Sequence, residues 1–116
     1  EQKKHCLYSL LKYLIEILRG IFDSEGHITI YHKQNHYDCY CGITQYEQKI
    51  DNVNLIHFLL NHFNIKYKRY KKQFHIWSRQ VRIFHNLLGK FTINRKEEKY
   101  QLYISRLQWR KLRQCS

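Results

Sequence analysis

From His27 to Lys33, and again from Tyr37 to Gln45, the chain alternates with a period of two, and only a short polar stretch, Gln34–His36, separates the runs. Ile28, Ile30 and His32 alternate with Thr29, Tyr31 and Lys33; Tyr37, Cys39, Cys41 and Ile43 alternate with Asp38, Tyr40, Gly42 and Thr44. Successive strand residues point to opposite faces, so this is the pattern of a β-hairpin with one apolar and one polar, aromatic face. A hairpin of that kind is not stable in water by itself, and its apolar face needs a cover.

Helical spacing on either side supplies the cover. Leu7, Leu10, Leu11, Leu14, Leu18, Ile21 and Phe22 fall on one helical face, a run that Gly26 ends. Ile50, Val53, Ile56, Leu59, Leu60 and Phe63 form a second amphipathic stretch, with Asp51 or Asn52 near its start. Ile65–Lys71 and Gln73–Ser78 read as two further strands turning at Lys71–Lys72–Gln73. Val81, Phe84, Leu87, Leu88 and Phe91 then mark a helix closing at Gly89–Lys90, and Tyr100, Tyr103, Ile104 and Leu107 a last one. The order α-β-β-α-β-β-α-α predicts a single α+β domain over 1–116, a four-stranded antiparallel sheet backed by helices on one face.

Composition narrows what the open face is for. The 116 residues carry 21 Lys and Arg against 9 Asp and Glu, a formal charge of +12. So large a surplus repels itself unless a polyanion offsets it, which points to nucleic acid. No stretch approaches the roughly 20 apolar residues of a membrane span, and no helix has the Lys-rich polar side of a membrane-surface anchor. Cys6, Cys39, Cys41 and Cys115 lack zinc-finger spacing; Cys39 and Cys41 share a strand face and are expected to be small buried thiols in a reducing compartment. Methionine is absent, so the chain is expected to be a processed or partly ordered product, and residues 1–6 do not read as a signal peptide. Usage heavy in Ile, Lys, Asn and Tyr and lacking Pro is what an A+T-rich coding sequence gives, pointing to an organelle, a mitochondrion before a chloroplast.

Leu18, Arg19, Gly20, Ile21, Phe22, Asp23, Ser24, Glu25 and Gly26, followed directly by an alternating strand, resemble the LAGLIDADG motif of homing endonucleases. Arg19 departs from the pattern, standing where the motif has Ala. The resemblance extends to the order of elements over essentially the whole chain and implies an αββαββα fold with a saddle-shaped sheet.

What the resemblance implies for the motif helix is twofold. It packs against the same helix of a second copy, with Gly20 and Ser24 allowing close approach and Ile21 beside them, so that a chain with one motif works as a homodimer on a pseudo-palindromic site. Its last acid, Glu25, is implied to be a metal-binding carboxylate, with a backbone carbonyl near Gly26 or Ser24 completing a site for Mg²⁺ or Mn²⁺. Asp23 resembles the first acid and is assigned to packing or capping, with metal binding secondary. Gln45, in Ile43-Thr44-Gln45, resembles the polar residue that orients the water cluster, and Lys96 the basic residue that offsets charge at the phosphate.

Alternation together with the resemblance places Thr29, Tyr31, Lys33, Asp38, Tyr40, Lys66, Lys68, Tyr70, His75 and Trp77 against nucleic acid. A slip of one residue in the third strand would present Arg69 and Lys71 instead. The expected function is that of an intron-encoded homing endonuclease making metal-dependent double-strand cuts in DNA. The alternative is a catalytically idle RNA-binding module, maturase-like or recruited into an organellar ribonucleoprotein such as the ribosome, an option favoured by the basic end with Arg106, Arg110, Lys111 and Arg113.

Overall fold

In the computed structural model the backbone is described over residues 2–33 and 36–115, and side chains over 6–32 and 37–107. The elements are α1 (Gln2–Glu25), β1 (Gly26–Lys33), β2 (His36–Thr44), α2 (Ile50–His62), β3 (Lys68–Arg69), β4 (Gln73–Trp77), α3 (Arg79–Leu88) and α4 (Asn94–Cys115). The fold is α+β: four antiparallel strands form one open sheet in the order β1-β2-β4-β3, with β1 at one edge. Helices α1 and α4 pack on β1 and β2, and α3 packs on β2 and β4.

The alternation read from the sequence sets the two faces. Ile28, Cys39, Cys41, Ile43, Phe74 and Ile76 are buried beneath the helices, where they meet Leu18 and Phe22 of α1, Val81, Phe84 and Leu88 of α3, and Tyr100 and Tyr103 of α4. Phe22 lies at the centre, edge-on to Phe84 at 5.1 Å between centroids and 4.9 Å from Phe91. Removing a buried ring of this kind typically costs about 3–5 kcal/mol. Burial raises the Cys39 thiol to about 12, with a further push from Asp38, and raises Cys41 well above the ordinary range. Both therefore stay protonated and inert as nucleophiles.

Several boundaries differ from the sequence reading. The third strand shrinks from the expected Ile65–Lys71 to Lys68–Arg69 because its donors are engaged elsewhere: the Ile65 N–H donates to Leu60 O at 2.9 Å and the Lys66 N–H to Gln80 Oε1 at 3.0 Å. A tight turn joins β3 to β4, with the Tyr70 N–H on Gln73 O at 2.8 Å. Helix α3 stops at Leu88, where Gly89 takes φ +78°, a left-handed value that glycine adopts without strain; Phe91 enters the core from the loop beyond. Helix α2 has no side-chain cap, so neither Asp51 nor Asn52 performs that job.

Helix α1 is longer than its apolar spacing suggested and is only half embedded. Leu18 and Phe22 are buried, whereas Leu7, Leu10 and Leu11, expected on the same covered face, are exposed. The contacts of α1 with α3 and the loop after it run through Arg19 and Phe22, well after Leu7, Leu10 and Leu11.

Candidate functional site

The open face of the sheet is built in cross-strand rows. His27, Gly42, His75 and Lys68 are register partners across all four strands; Thr29, Tyr40 and Trp77 form the next row, and Tyr31 with Asp38 the third. Gly42 is required by its neighbour. A Cβ there would come within 2.3 Å of the His27 ring, so the imidazole lies over the glycine instead of beside a side chain.

The rings of this face pack against one another. Tyr40 stacks on His75 at 4.5 Å and tilts against Trp77 at 4.7 Å; Tyr31 stands edge-on to Trp77 at 5.6 Å, and Tyr70 lies 4.5 Å from His75. Faces engaged in this way are not free to sandwich unpaired bases. Much of the ring surface is used in mutual packing, which fixes the orientation of the rings.

Both histidines of the first row are held neutral at pH 7. Burial lowers the pKa of His27, helped by the positive charges of Lys96 and Lys99, and burial with the nearby His27 lowers that of His75. His75 Nε2 lies 2.6 Å from Gln73 Oε1, which makes Nε2 the donor and leaves the buried Nδ1 as an acceptor without a partner.

The expected surface residues fall out unevenly. Thr29, Tyr31, Tyr40, Lys68, His75 and Trp77 share the open face, and Tyr70 packs at its border through His75. Lys66 lies off the strand with its amide tied to Gln80, and the Lys33 side chain lies outside the described residues. Arg69 pairs with Phe74 and turns to the covered side, its guanidinium 4.4 Å from the Phe74 ring centre. Lys68 and not Arg69 therefore faces outward, which settles the strand register.

Asp38 is reassigned. Its Oδ1 accepts from Ser78 Oγ at 2.7 Å and from the Cys39 N–H at 2.8 Å, and Oδ2 faces Tyr31 OH at 3.4 Å. Ser78 takes φ +49°, an uncommon value for a residue with a side chain, and Asp38 together with the Ser78 N–H bond to Cys39 O at 3.0 Å holds that turn in place. This carboxylate is a structural fastener between β2 and the start of α3.

The end of α1 gathers the remaining candidates. Glu25 is the last helical residue, exposed and without a hydrogen bond or ion pair among the described residues. Gly26 opens β1, not a left-handed cap; it must be glycine because a Cβ would lie 2.3 Å from the Phe22 ring and 2.4 Å from the Phe22 carbonyl oxygen. Lys96 reaches across from α4, 7% exposed, and donates to Phe22 O at 2.6 Å and Asp23 O at 3.0 Å while lying 4.8 Å from the Phe22 ring. Its ammonium neutralises the negative end of the α1 dipole. Burial lowers its pKa, the Asp23 carboxylate pulls it back up, and Arg95 lowers it.

Gln45 sits at the same end of the sheet, two residues past Ile43, the partner of Gly26. It is 8% exposed and held by its backbone, which donates to Lys72 O at 2.9 Å and accepts from Arg69 Nη2 at 2.8 Å. Gly26 and Lys96 thus line one cavity at the end of α1, Glu25 adjoins Gly26 in the chain, and Gln45 follows β2, the strand paired with β1. Among the described residues no group of three or more His, Cys, Asp or Glu side chains converges as a metal site.

Gly20 and Ser24 lie one turn apart on an exposed part of α1. A Cβ at Gly20 would meet nothing within 4 Å, so the glycine is not demanded by packing inside the chain. Ser24 Oγ folds back onto Gly20 O at 3.0 Å and Ile21 O at 3.3 Å, satisfying its own polarity and leaving a small, low surface.

Three groups escaped the sequence reading. Arg19, the departure from the motif, donates to the carbonyls of Leu88 and of Lys90, the latter at 3.3 Å, and so caps the C-terminus of α3. His27 was legible, since it stands two residues before Thr29 on the same face. Glu97 was not: only 6% exposed, it binds the Phe91 N–H and His85 Nε2, each at 2.8 Å, and fixes the loop between α3 and α4. Comparison with protein families, curated proteins and solved structures returned no match.

Proposed function

We propose that this chain is one half of a LAGLIDADG-type, two-fold nucleic-acid-binding protein that cuts duplex DNA with bound divalent metal. The observation that carries the reading is the end of α1, where Glu25, exposed and without a hydrogen bond or ion pair among the described residues, adjoins Gly26, and where the buried Lys96 binds the carbonyls of Phe22 and Asp23 at the border of a preorganised aromatic sheet face.

Among the described residues, each chain offers the Glu25 carboxylate without a hydrogen-bond partner at this point. Two copies meeting through the small surface of Gly20, Ile21 and Ser24 would bring two Glu25 side chains together, a hard oxygen donor set of the kind Mg²⁺ or Mn²⁺ takes, with backbone carbonyls near Ser24 and Gly26 available. When bound, such a metal polarises the phosphate and favours a hydroxide nucleophile. The chain's own groups do the rest. Lys96 holds the helix end and adds positive charge, while Thr29, Tyr40, His75 and Trp77 hold the duplex in register against the sheet.

Glu25→Gln tests this directly. The variant is expected to keep its affinity for a cognate duplex and to lose metal-dependent cutting; undiminished cutting refutes the reading. A preference for folded RNA over duplex, without nicking of either, would favour the RNA-binding alternative.

A further inference from the structure

Between the outer edge of β1 and the first turn of α4 lies a cavity of about 140 Å³ lined by Gly26, His27, Ile28, Arg95, Lys96 and Lys99. At roughly 30 Å³ per water it holds a few waters or one tetrahedral oxyanion, and no nucleoside. Three of its lining residues are cations and none is an acid. Asp23 is the carboxylate that acts on the charge of Lys96, and no ion pair among the described residues engages Arg95, Lys96 or Lys99.

The donors of the cavity are incompletely used. Lys96 spends two of three N–H bonds on the α1 carbonyls, and Lys99 makes one long contact, 3.4 Å, with Ile28 O. That contact places the Ile28 carbonyl on the free edge of β1. In an antiparallel strand a residue's N–H points to the same side as its C=O, so the Ile28 amide faces outward too. Helix α4 adds the positive end of a 22-residue helix.

We propose that this cavity binds a phosphate group, and that the group is a backbone phosphate of the nucleic acid, gripped by Arg95 and Lys99 from outside and by Lys96 from within. Three cations and an outward amide around a small volume suit a tetrahedral oxyanion better than a planar carboxylate, which one Arg would satisfy. The pocket would fix the strand next to the end of α1. The backbone assignment rests on the nucleic-acid reading above; phosphate binding itself does not.

The test uses the full chain and the double variant Arg95→Gln, Lys99→Gln. Both residues are exposed, so the variant is expected to keep the wild-type circular dichroism spectrum. Inorganic phosphate, titrated while amide NMR shifts are followed, should move the signals of residues 26–28 and 94–99 saturably in the wild type and not in the variant. In salt series with a duplex oligonucleotide, the variant's slope of log affinity against log salt should be shallower by about one, for the single backbone phosphate the cavity neutralises. Saturable phosphate shifts with no nucleic-acid binding by the wild type would uphold the pocket as a free-phosphate site and sink the backbone assignment with the proposed function. Shifts absent from both proteins together with an unchanged slope overturn the pocket. Shifts present with nucleic-acid binding intact and the slope unchanged overturn the backbone assignment alone, and a shallower slope without phosphate shifts upholds it.

Discussion

Lys96 Nζ donates to the carbonyl oxygen of Phe22 at 2.6 Å and to that of Asp23 at 3.0 Å, tying the start of α4 to the end of α1 across more than half the chain. A cation at this place has a structural task whatever else it does. Carbonyls at a helix end have no partners within the helix, and burial denies them water. Lys96→Met leaves them unsatisfied and should cost about 1–3 kcal/mol. A urea unfolding midpoint within a few tenths of a kcal/mol of wild type, using the wild-type slope, would show that the cap contributes nothing.

Gly20 is expected to separate folding from assembly. A methyl group there meets nothing within 4 Å of the isolated chain, so Gly20→Ala should stabilise the monomer by about 0.5–1 kcal/mol through helix propensity. If Gly20 is the point of close approach between two α1 helices, the same methyl should weaken self-association about tenfold or more. Thermal unfolding at low concentration reads the first effect and sedimentation equilibrium the second; unaltered association would remove Gly20 from the interface.

For Asp38 the expectation is a loss of stability without a loss of binding. Asp38→Ala removes the acceptor of Ser78 Oγ and of the Cys39 N–H, at a cost of about 1–3 kcal/mol. Removing a negative charge from the basic face should leave nucleic-acid affinity unchanged or higher. Weaker binding at unchanged stability, measured by fluorescence anisotropy and chemical unfolding, would return Asp38 to the recognition surface.

Stability should also fall on mild acidification. His57, beside Phe74 and Tyr67, has its pKa lowered by burial and by Arg69; His75, among Tyr40, Tyr70 and Trp77, by burial and by His27. Both fall below the ordinary histidine value of 6.5, so the unfolded chain binds more protons below that pH. Their contribution is complete above pH 6.5 and is lost as pH falls through the folded values. Unfolding midpoints between about pH 7.5 and about pH 5 should decline, and less steeply in His57→Phe. Glu97 enters only below its own range: burial pushes its pKa up, but hydrogen bonds from Gln101, the Phe91 amide and His85 outweigh that and leave it lowered. A flat profile over the histidine range would contradict the neutral packing of both imidazoles.

Local patterns carried much of this architecture. Alternation in residues 27–45 separated Ile28, Cys39, Cys41 and Ile43 from Thr29, Tyr31 and Tyr40, because a strand's period of two is a property of the backbone and needs no partner to be read. Apolar spacing likewise marked Leu18 and Phe22 as core. It gave the same reading for Leu7, Leu10 and Leu11, which are exposed, since spacing says which residues share a face and not whether anything covers it.

Charge was the least legible property from sequence. Arg19, Asp38 and Lys96 each act through partners distant in the chain, Leu88 and Lys90, Ser78, and Phe22 and Asp23, while Glu97 closes the loop before it through Phe91 and His85. The sequence by itself determined two faces of a sheet, the order of elements and a basic chain with an acid at a helix end. Which charges are fasteners and which remain free for a ligand was decided only by the tertiary structure, because a side chain's hydrogen-bond partners depend on how elements far apart in sequence are brought within about 3 Å of one another.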